Sequence, residues 1–326
     1  MNTGRWLGVL RARHESLGSW RRAIGAAIGL LLLAAAVWAV WSRGAVVEEA
    51  WLTMQQAPAW LVASAMALPL ASWLLTSGAF WLLSRRYARV PMSDMTQLIG
   101  AAWLLNHLPL RPGMVGRVAF HKKYHDMAIR DSVRVMVGAI VCSGVSLALL
   151  LVAAIGVSRV EGVGWTAACL AGPTLAVGLV AVGARAFGRA WWAEAAALGV
   201  RSLDMLAWVG RYAIVFALVG QEVSVERLVI VAAVCQVAMI VPLTGNGMGL
   251  REWAVGLTLA AMAGAAATAD VREQAAAIGL AADLLNRAVE TVLAVPVGLA
   301  CSWMLARKVK RSRQTPADAV PSEPRA

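Results

Sequence analysis

The stretch that decides the fold is VPLTGNGMGLRE at Val241–Glu252, because a similar stretch, NHLPLRPGMVGR, stands at Asn106–Arg117. Each carries Pro-Leu at the end of an apolar run, then a Gly-rich turn and an arginine. Proline removes a backbone donor and glycine permits conformations that a helix forbids. Broken backbone at membrane depth lies in protein or lines a wet cavity, and paired breaks are typical of a transporter's binding site. The residues predicted to break the helices are Pro109, Gly113, Pro242, Gly247 and Gly249.

The composition indicates a membrane protein. The chain has 326 residues, of which 60% are hydrophobic and 15% are charged. Apolar windows long enough to cross about 30 Å of hydrocarbon recur along it. We therefore predict an all-α polytopic membrane protein with about eight transmembrane helices plus re-entrant or broken segments. The predicted spans are Ala23–Ser42, Pro58–Leu83, Val133–Val157, Val163–Val182, Leu203–Val219, Leu228–Leu243, Arg251–Ala267 and Ala275–Ala306.

The segments at the two breaks are short. Met95–Leu108 is too short and too polar for a full span, so we predict that it is re-entrant. The segments Leu228–Leu243 and Arg251–Ala267 fit either two short spans or a re-entrant hairpin, and the charge distribution favours two spans. The similarity of the two breaks also suggests an internal repeat.

The basic residues indicate the orientation. The formal net charge is +12, and most of the lysines and arginines lie between spans, where they favour the cytoplasmic side. This distribution explains the charge without a nucleic-acid partner. We predict a basic cytoplasmic N-terminus over 1–22, a single transmembrane domain over 23–306, and a basic, disordered cytoplasmic tail over 307–326.

Charged residues inside apolar runs are candidates for function because they are costly in a membrane. Arg211 lies within a predicted span, and Asp283, Arg287 and Glu290 share one face of the last helix at i, i+4 and i+7. We predict that Arg211, Asp283 and Glu290 form an intramembrane charge network. A purely structural role is an equal alternative for the last-helix triad, and Arg211 has Asp204 or a carboxylate of another helix as a possible partner.

Arginines beside the breaks suit an anionic headgroup, because a guanidinium binds phosphate bidentately. Arg117 ends the first break, and Arg251 with Glu252 ends the second. The alternatives are that Arg117 belongs to a basic surface loop and that the glycines serve close helix packing.

Enzyme and metal chemistry have little support in the sequence. The motifs of a P-loop, a serine hydrolase and a dinucleotide site are missing, and we predict no catalytic residue, no cofactor and no metal site. His121 and His125 have i,i+4 spacing, which we interpret as a solvated basic helix. Four cysteines in apolar runs are predicted to be small core residues. They are Cys142, Cys169, Cys235 and Cys301.

The two breaks resemble the membrane region of lysylphosphatidylglycerol synthases, a flippase-like family of bacterial inner membranes. The likeness rests on Asn106, Pro109, Gly113 and Arg117 at the first break, on the GxGxRE ending of the second, and on Arg287. The resemblance implies a multi-pass protein of the bacterial inner membrane, with both termini cytoplasmic, that handles lipid. It also implies that Asn106, Arg117, Arg251, Glu252 and Arg287 bind a lipid headgroup.

The predicted function is binding and translocation of an anionic lipid or a lipid-linked intermediate. The partners are membrane lipids, with a lipid-modifying enzyme as a further candidate. Two other classes of protein remain open. One is a membrane-embedded lipid-modifying transferase, and the other is a non-catalytic partner of a lipid-modifying enzyme. A synthetase activity is not implied by the family likeness, which is confined to the membrane region.

Overall fold

The computed structural model describes residues 55–108, 111–157, 163–240, 245–264 and 266–314, with scattered positions between 27 and 53. Within these ranges the protein is all α-helix and connecting turns, with no strand. The predicted N-terminus, most of the span Ala23–Ser42, Pro109, Pro242 and the tail beyond Gln314 lie outside the described residues. The predicted all-α class is confirmed for the described chain.

Nine α-helices follow one another in the described ranges. They are α1 (Ala59–Ser84), α2 (Met92–Leu105), α3 (Pro112–Tyr124), α4 (Ile129–Val157), α5 (Val163–Ala186), α6 (Trp192–Leu218), α7 (Val225–Ile240), α8 (Leu250–Met262) and α9 (Ala269–Gln314). A single 3-10 turn, Gly245–Gly247, lies between α7 and α8.

Three of these helices are long and apolar enough to cross a membrane: α1, α4 up to Gly156, and α9 up to Lys310. They match three of the predicted spans. Helix α9 continues to Gln314, so residues 307–314, assigned to the tail from the sequence, are helical. The predicted spans in α5, α6, α7 and α8 are helical over the residues that these helices cover, and that they cross a membrane remains a prediction.

Short helices flank both breaks. Helix α2 has 14 residues and α3 has 13, which correspond to about 21 and 20 Å. Helices α7 and α8 have 16 and 13 residues, or about 24 and 20 Å. Each pair packs together as a hairpin with the break at its tip. None of these lengths reaches the roughly 30 Å of a hydrocarbon core.

Each hairpin packs against one helix of its own half of the chain and one helix of the other half. Helix α2 packs on α1 and on α9, whereas α7 packs on α6 and on α4. Helices α1 and α6 make the most extensive contact in the molecule. The largest apolar cluster lies between α4, α6, α7, α8 and α9. It includes Met205, Tyr212, Phe216, Val229, Cys235 and Val255.

Candidate functional site

A cluster of six charged side chains lies inside the helix bundle, where α6, α8 and α9 meet. Three are arginines and three are carboxylates, so their formal charges cancel. All six have at most 7% of their surface exposed, and the values for Arg251, Glu252 and Asp283 are 0%. The members of this charge network are Arg211, Arg251, Glu252, Asp283, Arg287 and Glu290. Arg211, Asp283 and Glu290, which the sequence predicts to form an intramembrane charge network, are three of these six residues.

The local sequence places these groups. Gly249 has a φ of 78°, and α8 begins at the next residue, so Arg251 and Glu252 fall in its first turn. There Glu252 lies at the positive end of the helix dipole. On α9 the i, i+4, i+7 spacing turns Asp283, Arg287 and Glu290 toward α8 and α6, as the sequence predicts.

Each arginine is paired across helices. Arg251 donates from Nε to Asp283 Oδ2 over 2.8 Å and from Nη1 to Glu290 Oε2 over 3.0 Å. Arg287 donates to Glu252, which joins α9 to α8. Arg211 donates to Glu290 over 3.1 Å and lies 3.9 Å from the centre of the Trp208 ring. Its partner is a carboxylate of another helix and not Asp204.

Glu290 joins the helix end that precedes the first break to the second break. Its Oε1 accepts from Trp103 Nε1 over 3.2 Å and from Asn246 Nδ2 over 3.3 Å. Trp103 lies in the last turn of α2, beside the first break, and Asn246 lies in the second break with a φ of 48°. Arg211 and Arg251 share the other oxygen. A carboxylate has about four lone-pair sites, and all four are used here by four different segments.

Four buried atoms in this region have no hydrogen-bond partner within the described part of the chain. Three are donors: Arg251 Nη2, Arg287 Nη1 and Asn286 Nδ2. The fourth is the acceptor Glu252 Oε2. A buried polar group left unpaired costs about 1–3 kcal/mol, so these atoms mark a place where an acceptor-rich group or water would be stabilised.

The first break is held by close backbone packing. A Cβ on Gly113 would lie 2.7 Å from the Ala102 carbonyl oxygen and 2.8 Å from Asn106 Oδ1. The start of α3 can therefore approach α2 this closely because residue 113 is glycine. Asn106 ends α2, and its Oδ1 has no hydrogen-bond partner among the described residues. Through Trp103, this end of α2 adjoins the charge network.

The structure places Arg117 apart from the charge network. Its guanidinium lies 4.0 Å from the centre of the Phe80 ring, in a pocket between α1, α3 and α4. Arg117 is 7% exposed, so it is buried and does not belong to a basic surface loop. The two arginines that end the breaks therefore contact different sets of residues. In this conformation they do not form one joint phosphate-binding site.

The interpretation of His121 and His125 as a solvated helix is wrong. His121 is 3% exposed, and His125 Nε2 lies 3.3 Å from the buried Asp94 carboxylate, which also binds Lys308. The apolar side of α3 packs onto α2 and α4, and this turns both rings inward. Asp94 lies in the first turn of α2 and His125 follows α3, so this contact closes the base of the first hairpin.

A second polar cluster was missed from the sequence. Asp204 accepts from Ser72, from Thr76 over 3.3 Å, and from Arg201 one turn before it. Arg201 also donates to Ser143 over 2.7 Å. The cluster joins α1, α4 and α6. The i,i+3 spacing of Arg201 and Asp204 was the available signal, but their hydroxyl partners are far away in sequence.

The buried cysteines are core residues, as predicted for Cys142, Cys235 and Cys301, while the side chain of Cys169 lies outside the described residues. The molecule is thus an all-α protein with three candidate membrane spans and a buried, charge-balanced network. No protein-family model, curated protein or solved structure matches this chain.

Proposed function

We propose that this protein is an integral membrane protein that binds and translocates an anionic lipid or a lipid-linked intermediate, as its resemblance to the lysylphosphatidylglycerol synthase membrane region implies. The observation that carries the proposal is that Glu290 binds both Trp103, just before the first break, and Asn246 in the second break, beside three donors without a partner among the described residues. A phosphate group supplies several strong acceptor oxygens and prefers guanidinium donors. Arg251, Arg287 and Asn286 would bind it, with Glu252 and Asn106 beside it.

A membrane location is supported by the surface. Large apolar side chains are exposed on the outer faces of α4, α5 and α9, among them Val152 (68%), Leu179 (74%) and Val292 (62%). Exposed apolar side chains on long helices are covered by lipid in a membrane protein. We place both termini in the cytoplasm and the protein in a bacterial inner membrane, because basic residues dominate the segments assigned to that side.

The order of helix lengths supports an internal repeat. The sequence long, short, short, long occurs in α1–α4 and again in α6–α9. Helix α2 of the first repeat packs on α9 of the second, and α7 of the second repeat packs on α4 of the first. Two repeats related by a pseudo-twofold axis produce this reciprocal packing. In this proposal each hairpin is re-entrant or consists of two short spans, and its broken tip reaches the shared site.

The charge network is closed to solvent in this conformation, so a headgroup needs a movement that opens it. We propose the second break as the element that moves, because Gly247 and Gly249 have φ values of 72° and 78° and glycine permits a change of backbone conformation there. We propose that movement of this hairpin breaks the Arg287–Glu252 pair and lets the phosphate replace the Glu252 carboxylate. The remaining pairs keep Arg251 in place.

The experiment is lipid translocation in vesicles that contain the purified protein. The variant is Glu252→Gln/Arg287→Gln, which removes one buried ion pair without changing the net charge. We expect the wild type to accelerate transfer of a fluorescent phosphatidylglycerol more than that of phosphatidylcholine. We expect the double variant to lose about 10-fold or more of this rate, because charge-assisted hydrogen bonds contribute roughly 1.5–3 kcal/mol each.

The matched control is Arg86→Gln/Glu194→Gln, which removes an exposed ion pair of 2.9 Å by the same chemical change. It should translocate at the wild-type rate, since exposed pairs contribute little. Thermal unfolding and gel filtration verify that both variants fold. A folded Glu252→Gln/Arg287→Gln protein that translocates lipid like the wild type would exclude the charge network as the headgroup site.

A further inference from the structure

The pocket around Arg117 lies between α1, α3 and α4, away from the charge network. Phe80 and Ser84 line it from α1, Arg117 and His121 from α3, and Ser132 and Met136 from α4. The cavity measures about 10 Å³, which is the size of one water molecule, so a slightly larger monatomic ion enters only if the flexible Met127 and Met136 side chains in its wall move outward. A phosphate group, with four oxygens around phosphorus, is too large for it.

Arg117 carries an uncompensated charge in this pocket. Among the described residues, no carboxylate lies within ion-pair distance of it, and its contact partner is the Phe80 ring at 4.0 Å. An arginine remains protonated in proteins, so a buried guanidinium of this kind needs a counter-charge. Asp94, on the adjoining α2, is already bound to His125 and Lys308.

The corresponding arginine of the second break, Arg251, has the carboxylate partners that Arg117 lacks among the described residues. Arg251 also ends a Gly-rich break, and it is held by Asp283 and Glu290 at 2.8 and 3.0 Å. The α4 residues that line the pocket of Arg117 are Ser132, Val135 and Met136, none of which is charged. The chain therefore supplies two anions to one arginine and none to the other within the described part.

Two further polar atoms at the pocket have no hydrogen-bond partner among the described residues. They are Ser132 Oγ and His121 Nδ1, and each residue is 3% exposed. A hydroxyl hydrogen and an imidazole N–H are both suitable donors to an anion, and the guanidinium adds the charge. Met127 and Met136 give the wall a soft, adaptable lining.

We propose that this pocket binds one halide-sized anion, chloride under physiological conditions, held by Arg117, Ser132 and His121. The anion neutralises Arg117 and joins α3 to α4 at the first hairpin. The site is separate from the proposed headgroup site, and its existence does not depend on lipid transport.

The test is equilibrium dialysis of the purified protein against radioactive chloride, with gluconate keeping the ionic strength constant. We expect one saturable site for chloride, with bromide as a competitor, and a melting temperature that rises as chloride replaces gluconate. Arg117→Gln should abolish saturable binding. Ser132→Ala should weaken it about fivefold, because a single hydrogen bond contributes roughly 1 kcal/mol.

The control variant is Arg86→Gln, which removes an exposed arginine and should bind chloride like the wild type. Ser132→Ala removes a hydroxyl alone, so it keeps the test decisive if Arg117→Gln fails to fold. A wild-type protein without saturable chloride binding would overturn the proposal and assign the cavity to water. Unchanged binding in both Arg117→Gln and Ser132→Ala would overturn it as well, since the anion would then lie elsewhere.

Discussion

At the scale of single residues, the six charged side chains of the network depend on one another. Glu290 accepts hydrogen bonds from four segments, and Arg251 bridges two carboxylates. Removing one partner from such a buried set leaves an uncompensated charge, which costs several kcal/mol. Exchange of a whole pair for neutral residues avoids that cost. This difference is why the transport experiment changes Glu252 and Arg287 together.

Membership of this network could be predicted from the sequence, whereas its pairing could not. A charge in an apolar run must be buried or paired, so Arg211, Asp283 and Glu290 could be identified without a structure. The partner of Arg211 lies 79 positions along the chain on α9, and no local spacing distinguishes it from Asp204. Trp103 carried no signal, because an indole in an apolar helix is ordinarily a packing residue.

His121 is expected to make the protein less stable in acid. Burial, followed by the nearby positive charges of Arg117 and His125, lowers its pKa from 6.5 to about 4, although Asp94, which also binds Lys308, acts in the opposite direction. The folded protein therefore keeps His121 neutral while the unfolded chain binds a proton below pH 6.5. Above pH 6.5, His121 does not change the free energy of unfolding. Between pH 6.5 and 4, proton binding to the unfolded chain lowers that free energy by about 1.4 kcal/mol per pH unit.

Thermal unfolding in detergent from pH 8 to 4, with gluconate as the anion, measures this loss. His121→Gln should unfold at a temperature that depends less steeply on pH, since glutamine does not titrate. Lys122→Gln, at the neighbouring exposed position, should keep the wild-type profile. Equal pH profiles for the wild type and His121→Gln would contradict the assignment of the acid sensitivity to this ring.

At the scale of the helices, α8 and α9 approach each other more closely than larger residues would allow. A Cβ on Gly279 would lie 2.8 Å from Gly256 Cα and 3.0 Å from the Val255 carbonyl oxygen. These are backbone atoms, which cannot relieve a clash by adopting another rotamer as a side chain can. Asp283 follows Gly279 by one turn, so this close contact sets the distance at which Asp283 meets Arg251.

Gly279→Ala should therefore lower the melting temperature and separate the two helices, at a cost of about 1–3 kcal/mol for overpacking. The control is Gly144→Ala on α4, where a Cβ would meet no atom within 4 Å. That change should be neutral or stabilising by about 0.5–1 kcal/mol, since alanine is the better helix former. A Gly279→Ala protein as stable as the wild type would show that α8 and α9 pack less tightly than described.

The hairpins at the two breaks could be predicted in part. Proline and glycine located both breaks, and the segment before each was correctly judged to be short. The sequence did not reveal that α3 folds back along α2, because Arg117, His121 and Lys122 make that segment resemble a surface helix. Its burial depends on contacts with α2 and α4, which are tertiary and invisible to local patterns.

At the scale of the whole molecule, the proposal makes the two hairpins open to opposite sides of the membrane. The Asp94–His125 pair brings the start of α2 to the end of α3, so the first hairpin enters and leaves on one face. Basic residues flank it, and for this reason the proposal places that face in the cytoplasm. Acidic residues such as Glu222 and Glu273 flank α7 and α8 instead, and the proposal therefore places the second hairpin at the outer face.

Single cysteines in a cysteine-free variant test this arrangement in right-side-out and inverted vesicles. Tyr87→Cys and Ala128→Cys, at the two ends of the first hairpin, should react with an impermeant maleimide in inverted vesicles. Glu222→Cys and Ala266→Cys, at the ends of the second, should react in right-side-out vesicles. Hairpins that enter from opposite faces and meet at Glu290 would give each side of the membrane a route to one site, as alternating access requires. Labelling of Tyr87→Cys and Ala128→Cys from opposite sides would instead mean that the α2–α3 segment crosses the membrane, and the shared-site mechanism would fail.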